Sequence, residues 1–145
     1  MSIKFRQNDF QEVHYCCVFV NQTSGFEFRN YKQVKIEEFH GKGITIILPT
    51  NTCNVGHNLM LLFFKGRNPK VPKVLPEQGE GKGIHYSAIG KVKIKSPLEK
   101  NQEFCTAKID FNQFDKYGWQ ELLDEYREKQ EEVTSTFSRI QINEK

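Results

Sequence analysis

The chain has 145 residues, 37% of them hydrophobic and 27% charged, which suits one globular domain large enough to bury a sizeable core. A net charge of +3 is too small for a general nucleic-acid binder, and no apolar run approaches the roughly 18 residues of a membrane span. Twelve Phe and five Tyr favour strands over a helical bundle.

The start, MSIKFRQNDF, lacks the apolar stretch of a secretory signal. Phe5 to Phe10 reads as a polar lead-in. Glu12 to Val20 predicts the first strand, with Cys16 and Cys17 on opposite faces, one toward the core and one toward solvent. None of the four cysteines has the C-x-x-C spacing of a zinc site. They read as free thiols in a reducing cytoplasm, which is the localisation expected. Asn21 to Gly25 is a turn by composition, and Phe26 to Tyr31 is a short strand or an extended link.

Val34 to Phe39, Ile44 to Leu48 and Leu59 to Phe64 form a meander. Its turns are His40-Gly41-Lys42-Gly43 and Asn54-Val55-Gly56-His57. Gly43 is expected to supply turn geometry. The segment from Lys65 to Gly83 holds three of the five prolines and, with five bases against two acids, the whole net charge. Proline removes backbone donors, so this is a loop and not a central strand. Loops of this length are usually functional or disordered. Lys65, Arg67, Lys70 and Lys73 are its candidate residues for contact with a protein partner or an anion.

Ser87 to Lys95 alternates, with Ile89, Lys91, Lys93 and Lys95 on one parity and Ala88, Gly90, Val92 and Ile94 on the other. Glu103 to Phe111 alternates again and would pair with it as a hairpin. The period then changes: Trp119, Leu122, Leu123 and Tyr126 share one face of a helix, which Val133, Phe137 and Ile140 extend less regularly. Asp115 is the candidate N-cap. The expected architecture is mainly β: a single domain over 1–145, with a six-stranded antiparallel barrel at about 5–112 and a C-terminal α-helix at about 115–139.

Enzyme signatures are sparse. His14, His40, His57 and His85 form no H-E-x-x-H. His40 and His57 flank one strand and should lie about 13 to 20 Å apart, too far to share a metal. Gly79 to Gly83 lacks the spacing of a phosphate loop, and no G-x-S-x-G or Cys–His signature occurs. An RNA-binding barrel would need a set of stacking aromatics on one sheet face, which the sequence does not show clearly. Neither catalysis, nor a metal or cofactor, nor a DNA or RNA partner is expected.

The turn after 34–39 has a different character. Glu38-Phe39-His40-Gly41-Lys42-Gly43 has the spacing acid-x-polar-x-x-Gly and is followed by Ile-Thr-Ile. With the meander, the G-x-x-L-x-L-x-F-like strand at Gly56 to Phe63 and the C-terminal helix, this resembles the PilZ family over roughly residues 5 to 130. PilZ domains are small bacterial signalling barrels, many of which bind cyclic di-GMP through R-x-x-x-R and D-x-S-x-x-G motifs. The resemblance places the second motif on Glu38 (for Asp), His40 (for Ser) and Gly43. Of the first motif only Arg6 fits, because Phe10 stands four residues later. Arg29 and Lys32 could substitute only if the fold brought them round. The resemblance implies a non-catalytic signalling module: a cyclic di-GMP receptor with an altered site at Arg6, Glu38, His40 and Gly43, or a ligand-independent adaptor that contacts a protein partner. Loss of one charge-assisted arginine bond typically costs about 1.5 to 3 kcal/mol.

Overall fold

A computed structural model of the chain describes residues 5–6, 14–75, 83–98 and 103–128. The apolar runs pair edge to edge as antiparallel strands: β1 (Phe5–Arg6), β2 (Tyr15–Asn21), β3 (Phe26–Phe28), β4 (Lys35–His40), β5 (Gly43–Pro49), β6 (Asn58–Lys65), β7 (Tyr86–Pro97) and β8 (Phe104–Phe114). They form one sheet in the order β1-β4-β5-β8-β7-β6-β2-β3. A helix, α1, follows at 116–128. Val133, Phe137 and Ile140 lie outside the described residues.

The expected closed barrel of six strands is corrected. Seven strands curl into a half-barrel, and the two-residue β1 extends one edge. The seventh strand is β3, which the sequence left open between strand and link. β2 and β4 share no ladder. They approach through side chains, with the rings of Tyr15 and Phe39 edge-on at 6.1 Å.

The inner face carries the main core, which includes Phe19, Ile36, Phe39, Ile44, Ile46, Leu59, Leu61, Phe63, Ile109 and the apolar stripe of α1. Trp119, Leu122, Leu123 and Tyr126 are all buried, as their 3.6-residue spacing predicts. The Trp119 ring centroid lies 6.0 Å from that of Phe39, 5.6 Å from Phe63, 5.4 Å from Tyr86 and 4.9 Å from Phe111. Tyr126 packs on Phe39 at 4.9 Å. The helix therefore bridges the opening between β2 and β4. Full burial of each such side chain contributes roughly 1.5 to 3 kcal/mol. Asp115 caps α1: its Oδ1 accepts from the Tyr117 N–H at 3.1 Å.

β2 and β6 are apolar on both parities, so their outer face needs a cover as well. Val18, Met60, Leu62 and Phe64 form a second core with Leu75, and Val71, Ile84 and Tyr31 pack against it. The described part of the long segment is thus a strap laid over the outer face. This also corrects the expectation for the adjacent cysteines. Cys17 joins the inner core, while Cys16 is buried under the strap and donates its thiol hydrogen to the Gly66 carbonyl at 3.2 Å.

The alternation expected for β7 fails after Val92. The pairing with β8 slips between Val92 and Ile94, leaving Lys93 as an extra residue. Beyond the bulge the faces exchange. Ile94 is 55% exposed, and Lys95 turns in to donate to the Cys53 carbonyl at 2.7 Å.

Candidate functional site

The bend from Glu38 to Gly43 is held from three sides. On the β1 side, Phe5 lies opposite Phe39 and Arg6 opposite Glu38. On the α1 side, the indole N–H of Trp119 donates to the His40 carbonyl at 2.8 Å. On the β8 side, the Phe111 N–H donates to the Lys42 carbonyl at 2.7 Å.

His40 is only 8% exposed, and its Nε2 lies 2.7 Å from Thr45 Oγ1. Glu38 Oε2 stands 4.0 Å from the same nitrogen. A carboxylate–histidine–hydroxyl relay needs its partners on opposite ring nitrogens, so this trio lacks relay geometry. Gly43 is required for a reason other than turn geometry. It is not among the positive-φ glycines of the described residues, which are Gly25, Gly56, Gly66 and Gly83. A Cβ at Gly43 would fall 2.1 Å from the Ile109 carbonyl oxygen, so the close approach of β5 to β8 excludes any side chain. The neighbouring Gly41 faces open space.

The backbone of Arg6 lies beside Glu38, as a shared site would require. Arg29 and Lys32 are not brought to the bend. Arg29 donates to the Pro72 carbonyl at 2.6 Å, and Lys32 sits in the 3₁₀ turn Tyr31–Gln33 before β4. The length of β4, about 17 Å, separates that turn from His40. Lys65 is the last residue of β6, and its ammonium pairs with Glu125 of α1. Arg67, Lys70 and Lys73 are exposed on the strap, whose Leu75 is buried.

A titratable cluster fastens α1 near the opening. The Tyr15 hydroxyl donates to Glu125 Oε2 at 3.5 Å, and the His85 ring lies 5.4 Å from that of Tyr15. Burial, then the Glu125 charge, pushes the Tyr15 phenol up. The Lys65 hydrogen bond holds the Glu125 carboxyl below its usual range. Burial, then the Lys65 charge, pushes the His85 imidazole down. Burial also raises the thiols of Cys16, Cys17, Cys53 and Cys105, which disfavours the thiolate a nucleophile needs.

The opposite end of the half-barrel holds a network that sequence reasoning missed. Asn21 is fully buried. Its Oδ1 accepts the N–H groups of Thr23 and Ser24, both at 3.1 Å. Its Nδ2 donates to the Thr52 carbonyl at 3.1 Å. These backbone partners fix the amide's orientation, so the second amide hydrogen points to His57 Nδ1 at 2.9 Å. The same nitrogen accepts the Asn54 N–H at 3.2 Å, which leaves the ring hydrogen on Nε2. Three turns are thereby tied together. Asn21-Gln22-Thr23-Ser24-Gly25 at the end of an apolar run was the available signal. Beside this end, Gln33, Pro49, Thr50, Asn51, Glu103 and Phe104 line an open cleft of about 450 Å³.

Among the described residues, no three His, Cys, Asp or Glu side chains come together to hold a metal ion. No described helix is long and apolar enough to cross a membrane. No protein-family model, curated protein or solved structure matches this chain.

Proposed function

We propose that this chain is a non-catalytic signalling module with a PilZ-like order of elements, acting as a ligand-independent adaptor through protein–protein contact. The supporting observation is what the motif residues do in the scaffold. His40 is buried, with its ring bonded toward Thr45 and its carbonyl bonded to Trp119. Gly43 is spent on the β5–β8 approach. A ligand that engaged the His40 ring would compete with its 2.7 Å contact to Thr45. The strap presents Arg67, Lys70 and Lys73 outward from an anchored base, a surface suited to an acidic protein partner.

One observation favours the other reading, a cyclic di-GMP receptor with an altered site. The ladder sets Arg6 directly opposite Glu38, so an arginine and an acid of the two motifs share one edge. Titration calorimetry with cyclic di-GMP on the wild type and on Arg6→Ala separates the two. The adaptor reading expects no saturable heat up to about 1 mM ligand, a limit corresponding to roughly 4 kcal/mol of binding. Saturable heat that Arg6→Ala removes would establish the receptor reading instead. A pull-down without nucleotide is expected to recover a partner and to lose it when Arg67, Lys70 and Lys73 are changed together to Glu.

A further inference from the structure

β3 is the last strand of the sheet on its side among the described residues, paired with β2 along one edge. Phe26 and Phe28 project to one face and Glu27 to the other, because strand side chains alternate. Phe28 stacks on Phe19 at 5.4 Å and packs against the inner core, while Phe26 is 49% exposed. Arg29, next in the chain, reaches the Pro72 carbonyl of the strap, which places it on the outer side with Glu27. An exposed sheet edge is a template for another strand. The sequence of this edge, Phe-Glu-Phe-Arg, selects which strand.

From this edge we infer that two copies of the chain associate through β3, antiparallel and related by a two-fold axis at Phe28. Antiparallel partners on a continued sheet must keep their faces, so the axis can pass only through a residue and not between two. Centred on Glu27, the pairing sets two like charges directly opposite, which is unfavourable. Centred on Phe28, it sets Glu27 opposite Arg29 of the second copy, twice by symmetry. It also sets Phe28 opposite its own copy on the inner side, with each Phe26 opposite Asn30 and in diagonal reach of the partner copy's Phe28. That register covers the half-exposed Phe26 ring and pairs the unlike charges at once. The strand is three residues long, so the association is weak and concentration-dependent. This inference depends on the sheet edge alone and stands or falls apart from the adaptor reading.

Sedimentation velocity on the full chain, from about 10 μM to about 1 mM, is the test. The expected result is a reversible shift from monomer to dimer over that range. Glu27→Arg should weaken self-association at least about tenfold by facing two cations across the axis twice. Glu27→Arg combined with Arg29→Glu should restore it, with circular dichroism confirming the fold of both variants. A single monomeric species throughout, or a Glu27→Arg variant that dimerises like the wild type, overturns the proposal. So does a dimer lost in Glu27→Arg that the reciprocal exchange fails to recover, since the charge register would then be wrong.

Discussion

The two faces of the sheet are filled by different means. Strands across the sheet contribute to the inner face, and α1 completes it with a buried Trp-Leu-Leu-Tyr stripe. Among the described residues, the outer face over β2, β6 and the start of β7 is covered by a proline-bearing strap, with Leu75 as its one fully seated side chain. The inner core is a closed unit of interlocking rings, so loss of one member is felt by the whole fold. The outer cover rests on few contacts, and segments of that kind open locally at a fraction of the global cost.

Trp119→Ala should show the largest effect. It removes four ring contacts and the donor to the His40 carbonyl, at a cost of about 3 to 5 kcal/mol in denaturant unfolding. Leu75→Ala should cost about 2 kcal/mol, at the low end for such truncations, because the strap can relax into the space. Its amide exchange should quicken along 66–75 and spare α1. If the Leu75 variant proved as damaging as the Trp119 variant, the contrast between the faces would be wrong.

Gly43→Ala and Gly41→Ala sharpen the comparison at the level of the backbone. The first forces β5 from β8 against a 2.1 Å contact and should cost about 1 to 3 kcal/mol. The second enters open space and should stay within about 0.5 kcal/mol by the same thermal or denaturant measurement. Equal effects would mean that turn geometry, and not the close approach, demands glycine here.

The smallest effect is expected at the fastening of α1. Lys65 and Glu125 are both substantially exposed, so Lys65→Met should cost less than about 1 kcal/mol at neutral pH. The sign of its pH dependence follows from the lowered Glu125 carboxyl. The pair's contribution is present above the ordinary carboxylate value of about 4.3 and is lost as pH falls through the lower folded value. Lys65→Met should therefore flatten the stability profile in that acid window. His85, also lowered, contributes above about 6.5 and loses its contribution as pH falls through its folded value. Charge repulsion from Lys65 is one cause of that lowering, so the variant should also reduce the slope there.

The strands and the helix stripe were legible because period-2 and period-3.6 patterns report burial directly, as with Trp119, Leu122, Leu123 and Tyr126. Three features were not. The bulge at Lys93 exchanges the faces of Ile94 and Lys95, and a one-residue slip leaves no mark on composition. The prolines and lysines of the strap mark it as a loop and hide its packing role, although two-faced apolar strands at β2 and β6 already call for a cover. The role of Gly43 depended on how closely β8 approaches, a long-range fact that a local turn motif does not carry. Within the candidate site, the motif spacing located the bend correctly in the chain. The scaffold bonds that occupy it became visible only through Trp119 and Ile109, residues far away in sequence.

The central claim is that the 38–43 bend serves the scaffold and does not hold a nucleotide. The most direct measurement follows the backbone amide resonances of Glu38, Phe39, His40 and Gly43 while cyclic di-GMP is added in excess. The expected result is that these peaks stay in place throughout the titration. A saturable shift of the four peaks, sensitive to Arg6→Ala, would contradict it.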